Sequence, residues 1–276
     1  MPFRIQSPSS INTYKQCPRK YFYQYIQKLK TFPSIHTIRG NIVHSVLEDF
    51  FELPTQDLTF DNCEMKLTAE VQRLLIHHWN LKKKELDALN LEEPQLHFYF
   101  EESMMMLINW LQKFVAKAKA MPSDCFAKTF KKLTPLRELQ YKSEERAVRG
   151  FIDAIEELEG EVRLMDYKSS KKFEVTQDYR LQLAIYAMLY EETHGRPPKQ
   201  VGIYFLKDTG KHEYTIDVDE DLINLAKLEV EMIHLNTQSS HMQDYPKNIT
   251  PLCKWKTGQC DFYQTCFQPT LTDFSK

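Results

Sequence analysis

Two strand-like runs, Ala147 to Glu157 and Glu161 to Lys168, flank the dipeptide Glu159-Gly160. A tight turn there folds them back as an antiparallel hairpin. Side chains alternate between the faces of a strand, so Asp166 and Lys168 project together. In that register Asp153, closing Gly150-Phe151-Ile152-Asp153, lies across from them. Carboxylates gathered at one point repel each other unless a cation sits between them. Mg²⁺ or Mn²⁺ suits such oxygen ligands and keeps waters for a substrate. A lysine beside the ion can position or deprotonate an attacking water. These parts suffice for phosphodiester hydrolysis, although Asp-x-Lys alone is too common to carry the argument.

Around the hairpin the pattern is α/β. Helices are expected from Ser9 or Ser10 to Cys17, from Pro18 to Leu29 and from Asn41 to Leu53. Two longer ones follow, over Glu64 to Leu86 and Pro94 to Met121. Beyond Pro135 come strands at Leu136 to Lys142, Gln200 to Lys207 and His212 to Val218. Helices are expected at Asp178 to Thr193 and Asp219 to Asn236. His44 falls at the start of its helix, off the apolar face of Val43 and Val46. A lone helical histidine is more often structural than a ligand. Gln182 and Tyr186 are one helical turn apart. Leu181, Ile185 and Met188 form a separate face for packing, which leaves that pair for the site or for ordinary helix hydrogen bonds.

Gly40-x-x-x-His44, Gly150-x-x-Asp153, Asp166-Tyr167-Lys168 and Gln182-x-x-x-Tyr186, in that order, resemble the RecB-type nucleases of the PD-(D/E)xK superfamily. The resemblance implies a restriction-endonuclease-like α/β core: a mixed central sheet flanked by helices, with a helical insertion and a cysteine-rich C-terminal tail. It implies one nuclease domain over 1–276: N-terminal helices 1–54, insertion 55–134, catalytic core 135–218, and a cluster-binding end 219–276. It also implies that His44, Asp153, Asp166 and the Tyr167 carbonyl bind a divalent metal. Lys168 is then the catalytic lysine, and Gln182 and Tyr186 order the site against DNA. The expected activity is exonucleolytic, on single-stranded DNA or frayed ends, leaving 5′-phosphates. An endonuclease would use the same residues, and a non-catalytic DNA-binding subunit is a further alternative.

Four of the six cysteines fall near the ends: Cys17, in Cys17-Pro18-Arg19-Lys20-Tyr21, and Cys253, Cys260 and Cys266. Four thiolates suit zinc or an iron–sulfur cluster. The arrangement resembles AddB-type helicase–nucleases and CRISPR-associated exonucleases, in which a [4Fe–4S] cluster staples the nuclease domain. That resemblance implies helicase or CRISPR-adaptation partners and an optional ring-shaped homo-oligomer. Here the tail departs from the pattern, with Lys256-Thr257-Gly258-Gln259 reading as an insertion before Cys260. Cys63 and Cys125 read as apolar packing residues.

Hydrophobic residues make up 42% and charged residues 27%, an ordinary globular balance. No apolar run approaches the ~20 residues of a membrane span. The start, MPFRIQSPSS, has no secretory character, so a cytoplasmic home with reduced thiols is expected. The net charge of −2 does not by itself select nucleic acid. Locally, Lys113 to Arg149 carries ten basic residues against four acidic, and could arch over the site.

Overall fold

The computed structural model describes residues 4–256 and 258–267. The helices and strands run α1 (Pro8–Gln16), α2 (Pro18–Tyr21), a π-helical turn (Phe22–Ile26), α3 (Ile35–Phe50), α4 (Cys63–Leu81), α5 (Lys83–Asp87), α6 (Glu93–Ala120) and α7 (Phe126–Leu133). Then come β1 (Leu136–Ser143), β2 (Val148–Leu158), β3 (Glu161–Lys168), α8 (Gln177–His194), β4 (Gln200–Phe205), β5 (Glu213–Asp217) and α9 (Glu220–Asn236). A 3₁₀ turn (Met242–Asp244), the short strands β6 (Lys254–Trp255) and β7 (Gly258–Gln259), and α10 (Tyr263–Phe267) follow. Thr257, part of the expected insertion, lies outside the described residues.

The sheet has the order β1-β2-β3-β4-β5. β2 and β3 are antiparallel, with Ala154 opposite Met165, and their turn has Glu159 and Gly160 at φ 55° and 83°. β3 and β4 are parallel, with Lys168 opposite Phe205, and α8 makes the crossover between them. β5 returns antiparallel to β4, so the sheet is mixed, as expected. A central strand covered on both faces is buried on both, and β3 is buried from Leu164 to Tyr167.

Contacts divide the chain into two units. The larger comprises Pro33–Tyr141 and Gly150–Ile223. Here α3, α4, α6 and α7 share one core with Ala154, Met165, Tyr167, Tyr204 and Leu206 of the sheet. Phe50, Phe51, Trp110, Phe114 and Phe130 meet edge to face or stacked at its centre. Helix α3 begins at Ile35, six positions before the expected start, because the Ser34 hydroxyl caps it by accepting from the Thr37 N–H. Gly40 therefore lies inside the helix, and the buried Ile35 and Ile38 extend its apolar face. The expected Glu64–Leu86 helix breaks at Lys82, and the short α7 was not expected at all.

The smaller unit comprises Met1–Phe32, Lys142–Arg149 and Asn224–Lys276. Ser7, not Ser9 or Ser10, caps α1: Ser7 and Ser10 exchange hydroxyl-to-backbone hydrogen bonds in a capping box. The expected Pro18–Leu29 helix passes into the π turn and stops at Lys28, at φ 57°. Tyr21 stacks on Tyr245, and Tyr23 packs on Phe262. Among the described residues no helix is long and apolar enough to cross a membrane.

Candidate active site

In the larger unit β2 and β3 part company at Asp153. Beyond the Ala154–Met165 pair, the Tyr167 N–H donates to the Asp153 carboxylate (2.8 Å) instead of to a backbone carbonyl. That side-chain bond fixes the carboxylate in the opening between the strands. Asp166 lies on the next strand, 2% exposed. Its Oδ1 accepts from the Gln182 amide (2.7 Å), and its Oδ2 lies 2.7 Å from Lys168 Nζ. Gln182 also donates to the Tyr186 hydroxyl (2.7 Å). Asp166, Lys168, Gln182 and Tyr186 are therefore one connected chain of side chains.

The Gln182–Tyr186 pair does not belong to an exposed helix face. Helix α8 is buried almost all round from Leu181 to Tyr190, so an amphipathic reading of it is too simple. Tyr186 has room because its neighbour is a glycine. A Cβ on Gly150 would meet the Tyr186 ring at 2.8 Å.

His44 completes the site from α3. Its Nε2 lies 3.0 Å from the Tyr167 carbonyl, and its Nδ1 lies 3.5 Å from Asp153 Oδ2. The two ring nitrogens thus face different partners, Nε2 the Tyr167 carbonyl and Nδ1 the Asp153 carboxylate. Glu138, which the sequence reading overlooked, also reaches His44, with Oε1 3.8 Å from Nδ1. Ligand atoms of His44, Glu138 and Asp153 all lie within 4.8 Å of one another, a grouping that could hold a metal. Glu138 sits in β1 at φ 49°, a left-handed conformation that costs a non-glycine residue roughly 1–3 kcal/mol and tends to occur at functional sites. This break in the strand is why alternation along β1 gives no hint of it.

The electrostatics fit a cation. Burial, reinforced by Asp166, raises the Asp153 carboxyl to about 7 against the pull of His44. Burial opposes charge on His44, but the hydrogen bond to Glu138 and the carboxylates of Asp153 and Asp166 outweigh it and raise the imidazole to about 9. Burial likewise opposes charge on Lys168, and Asp166 overrides it and raises the ammonium. The site thus holds protons where a divalent ion could stand.

A model of the PD-(D/E)XK nuclease superfamily matches residues 6–267. The chain belongs to that superfamily. Among its relatives, Gene 69 protein of Mycobacterium phage D29 is 25% identical over 217 residues, 73% of this chain and 74% of the phage protein. An ATP-dependent helicase/deoxyribonuclease subunit of Clostridium botulinum is 28% identical over 245 residues, 80% of this chain but 21% of that protein. The crystal structure of a candidate exonuclease from Eubacterium rectale shares the fold at 13% identity, with a TM-score of 0.50 over 96% of this chain and 94% of that one.

In this superfamily member at least three of the ten cations in the expected basic stretch have partners within the protein. Lys113 donates to the Gly210 carbonyl (3.1 Å), Lys117 pairs with Glu156 and Lys119 with Glu64 (3.4 Å each). In the smaller unit, Cys17, Cys253, Cys260 and Cys266 line one cavity of roughly 210 Å³. The Asn248 N–H points at Cys17 Sγ (3.5 Å), and the Cys253 thiol donates to the Asn248 carbonyl (3.7 Å). Burial raises the Cys266 thiol, with Lys247 and Arg19 opposing. Among the described residues, no three of these sulfurs approach within the 4.8 Å spacing of the His44 group. Cys63 is buried and Cys125 half-buried, away from this cavity.

Proposed function

We propose that this protein is a metal-dependent DNA exonuclease that prefers single-stranded DNA or frayed ends. The observation that carries hydrolysis is the grouping of His44, Glu138 and Asp153 where β2 and β3 separate, with the Asp166–Lys168 pair close enough to act on Asp153 electrostatically. The preference for ends follows the resemblance to RecB-type nucleases. Held by His44, Asp153, Asp166 and the Tyr167 carbonyl, with Glu138 in reach, Mg²⁺ or Mn²⁺ would supply charge for the phosphate and acidity for a water. Lys168 orients that water and offsets charge building on the phosphate. Gln182 and Tyr186 hold Asp166 in place, and Asp153 keeps the strands apart for the phosphate to enter.

The four cysteines fit a cluster that ties the N-terminal helices to the tail. A tetrahedral zinc thiolate site, with bonds of about 2.3 Å, needs sulfurs roughly 3.8 Å apart. The resemblance to cluster-bearing nucleases is what favours a [4Fe–4S] cubane over zinc. The likeness to a helicase/deoxyribonuclease component suggests a motor protein as partner.

The test uses anaerobically purified protein and end-labelled single strands. Release of labelled mononucleotide with Mg²⁺ or Mn²⁺ is expected, and EDTA abolishes it. Lys168→Ala lowers the rate by about 10²–10⁴-fold. Cutting of a circular single strand at a comparable rate would replace the exonuclease reading with an endonuclease. Degradation unchanged by Lys168→Ala would remove the site assignment.

A further inference from the structure

Outside the metal-sized group, the larger unit holds a second concentration of charge. Arg39, on α3, is 2% exposed, and its guanidinium sits over the Tyr99 ring, 5.4 Å from the centroid. It pairs with Glu102 of α6, and Lys207 contacts the other oxygen of that carboxylate at 2.6 Å. Two cations thus share one anion. Arg39 Nε is buried and makes no hydrogen bond. A buried N–H of a charged group left without an acceptor is costly. Burial, with Arg39 and Lys171 adding repulsion, lowers the Lys207 ammonium to about 8. The exposed His36 responds the same way: after burial, Arg39, Lys207 and Lys171 all lower it. Arg39 and Lys207 share the single carboxylate of Glu102, so the contact set carries one more positive than negative charge.

The excess has a location. Lys207 follows β4 directly, and the Leu206 N–H donates to the Lys168 carbonyl at 3.0 Å. Lys171 lies three residues past Lys168. Arg39 precedes His44 by five residues on one helix, about 7.5 Å along its axis. Lys207 and Lys171 therefore lie beside the end of the strand that carries Lys168, and Arg39 shares a helix with His44.

We propose that Lys207 and Lys171, backed by Arg39, form an anion subsite that takes a phosphate of the nucleic-acid strand adjacent to the one being cut. This rests on the nuclease reading and adds a substrate contact to it. Lys171 offers an exposed ammonium, Lys207 a half-buried one, and the exposed His36 ring a further donor. Arg39 is a positioning residue that holds Glu102 and keeps the field positive. A bound phosphate supplies the second negative charge that the cluster lacks.

The experiment measures binding of a short fluorescent single strand to the full chain in EDTA across a salt series. Lys207→Gln with Lys171→Gln is expected to weaken binding at least ten-fold at low salt. It should also flatten the slope of log K against log[salt] by about 0.7, the increment for one phosphate on a single strand. Lys207→Arg should restore the slope. A double variant with the wild-type slope overturns the proposal, including when its urea midpoint falls, which would mark the cluster as a structural brace. Wild-type protein that neither binds nor cuts the strand overturns the nuclease reading and this subsite together. Wild type that does both while the variants keep its slope overturns the subsite alone.

Discussion

Asp153 shows how much one carboxylate can be asked to do. It replaces a missing ladder bond by accepting from the Tyr167 N–H, and it faces His44 3.5 Å away. Both groups titrate in an unusual range, Asp153 at about 7 and His44 at about 9. The signs agree. Ionising Asp153 costs metal-free stability as the pH climbs to about 7, and His44 loses its stabilising charge as the pH rises from 6.5 to about 9. A metal that takes their place must expel these protons. Calorimetric titration with Mn²⁺ at pH 7, repeated in buffers of different ionisation enthalpy, should report release of about one proton or more, falling away above pH 9. In Glu138→Gln the imidazole holds its proton less tightly, so release at pH 8 should shrink while metal affinity drops about ten-fold. Release that is identical in the variant would detach Glu138 from the site. At this scale spacing and residue type were informative in part: His44 and Asp153 meet around Tyr167, and Asp166, Lys168, Gln182 and Tyr186 form one chain, but the metal-sized group has Glu138 where Asp166 was expected. Glu138 was not legible. A single glutamate in a charged strand carries no signal, and its left-handed backbone defeats the two-residue period.

At the scale of elements, the strands and α8 could be read because their ends carry turn chemistry, Glu159-Gly160 and Gly195. Starts and stops that depend on a particular cap were harder. Ser34 begins α3 early, and Gly40, which looked like a boundary, is carried within it. The short α7 escaped because its lysines read as charge, while its burial rests on Phe126, Thr129 and Phe130 alone. Packing between elements gives Gly150 its purpose, as the gap through which the Tyr186 ring passes. A methyl group there has no easy accommodation, since two atoms of the buried Tyr186 ring lie 2.8 and 3.0 Å from the same point and its hydroxyl is held by Gln182. Gly150→Ala should cost about 1–3 kcal/mol in urea unfolding. It should lower nuclease rate by ten-fold or more by displacing the Tyr186–Gln182–Asp166 chain. A variant that loses stability but keeps its full rate would show that the chain is not what orders Asp166.

Across the whole molecule, the cysteine pattern led to the expectation of a four-thiolate cluster, and the structure places Cys17, Cys253, Cys260 and Cys266 around one cavity. What the chain carries there could not be read from thiolate count, because zinc and iron–sulfur use the same ligands. Cys260→Ser should bleach the brown absorbance of anaerobic protein, with iron analysis falling in step. It should also open the smaller unit to protease before the larger one. Zinc in place of iron in the wild type would reverse the cofactor assignment. The same unit carries a consequence for how the protein is made. Gln16 and Asn248, joined by a hydrogen bond, are 232 positions apart, and Tyr21 waits equally long for Tyr245. At about 5–20 residues per second, a ribosome needs roughly 10–50 s to deliver the second half of that contact. For that interval the nascent N-terminal helices present Tyr21, Phe22 and Tyr23 without their C-terminal mates Tyr245 and Phe262, so this aromatic seam can close only at the end of synthesis.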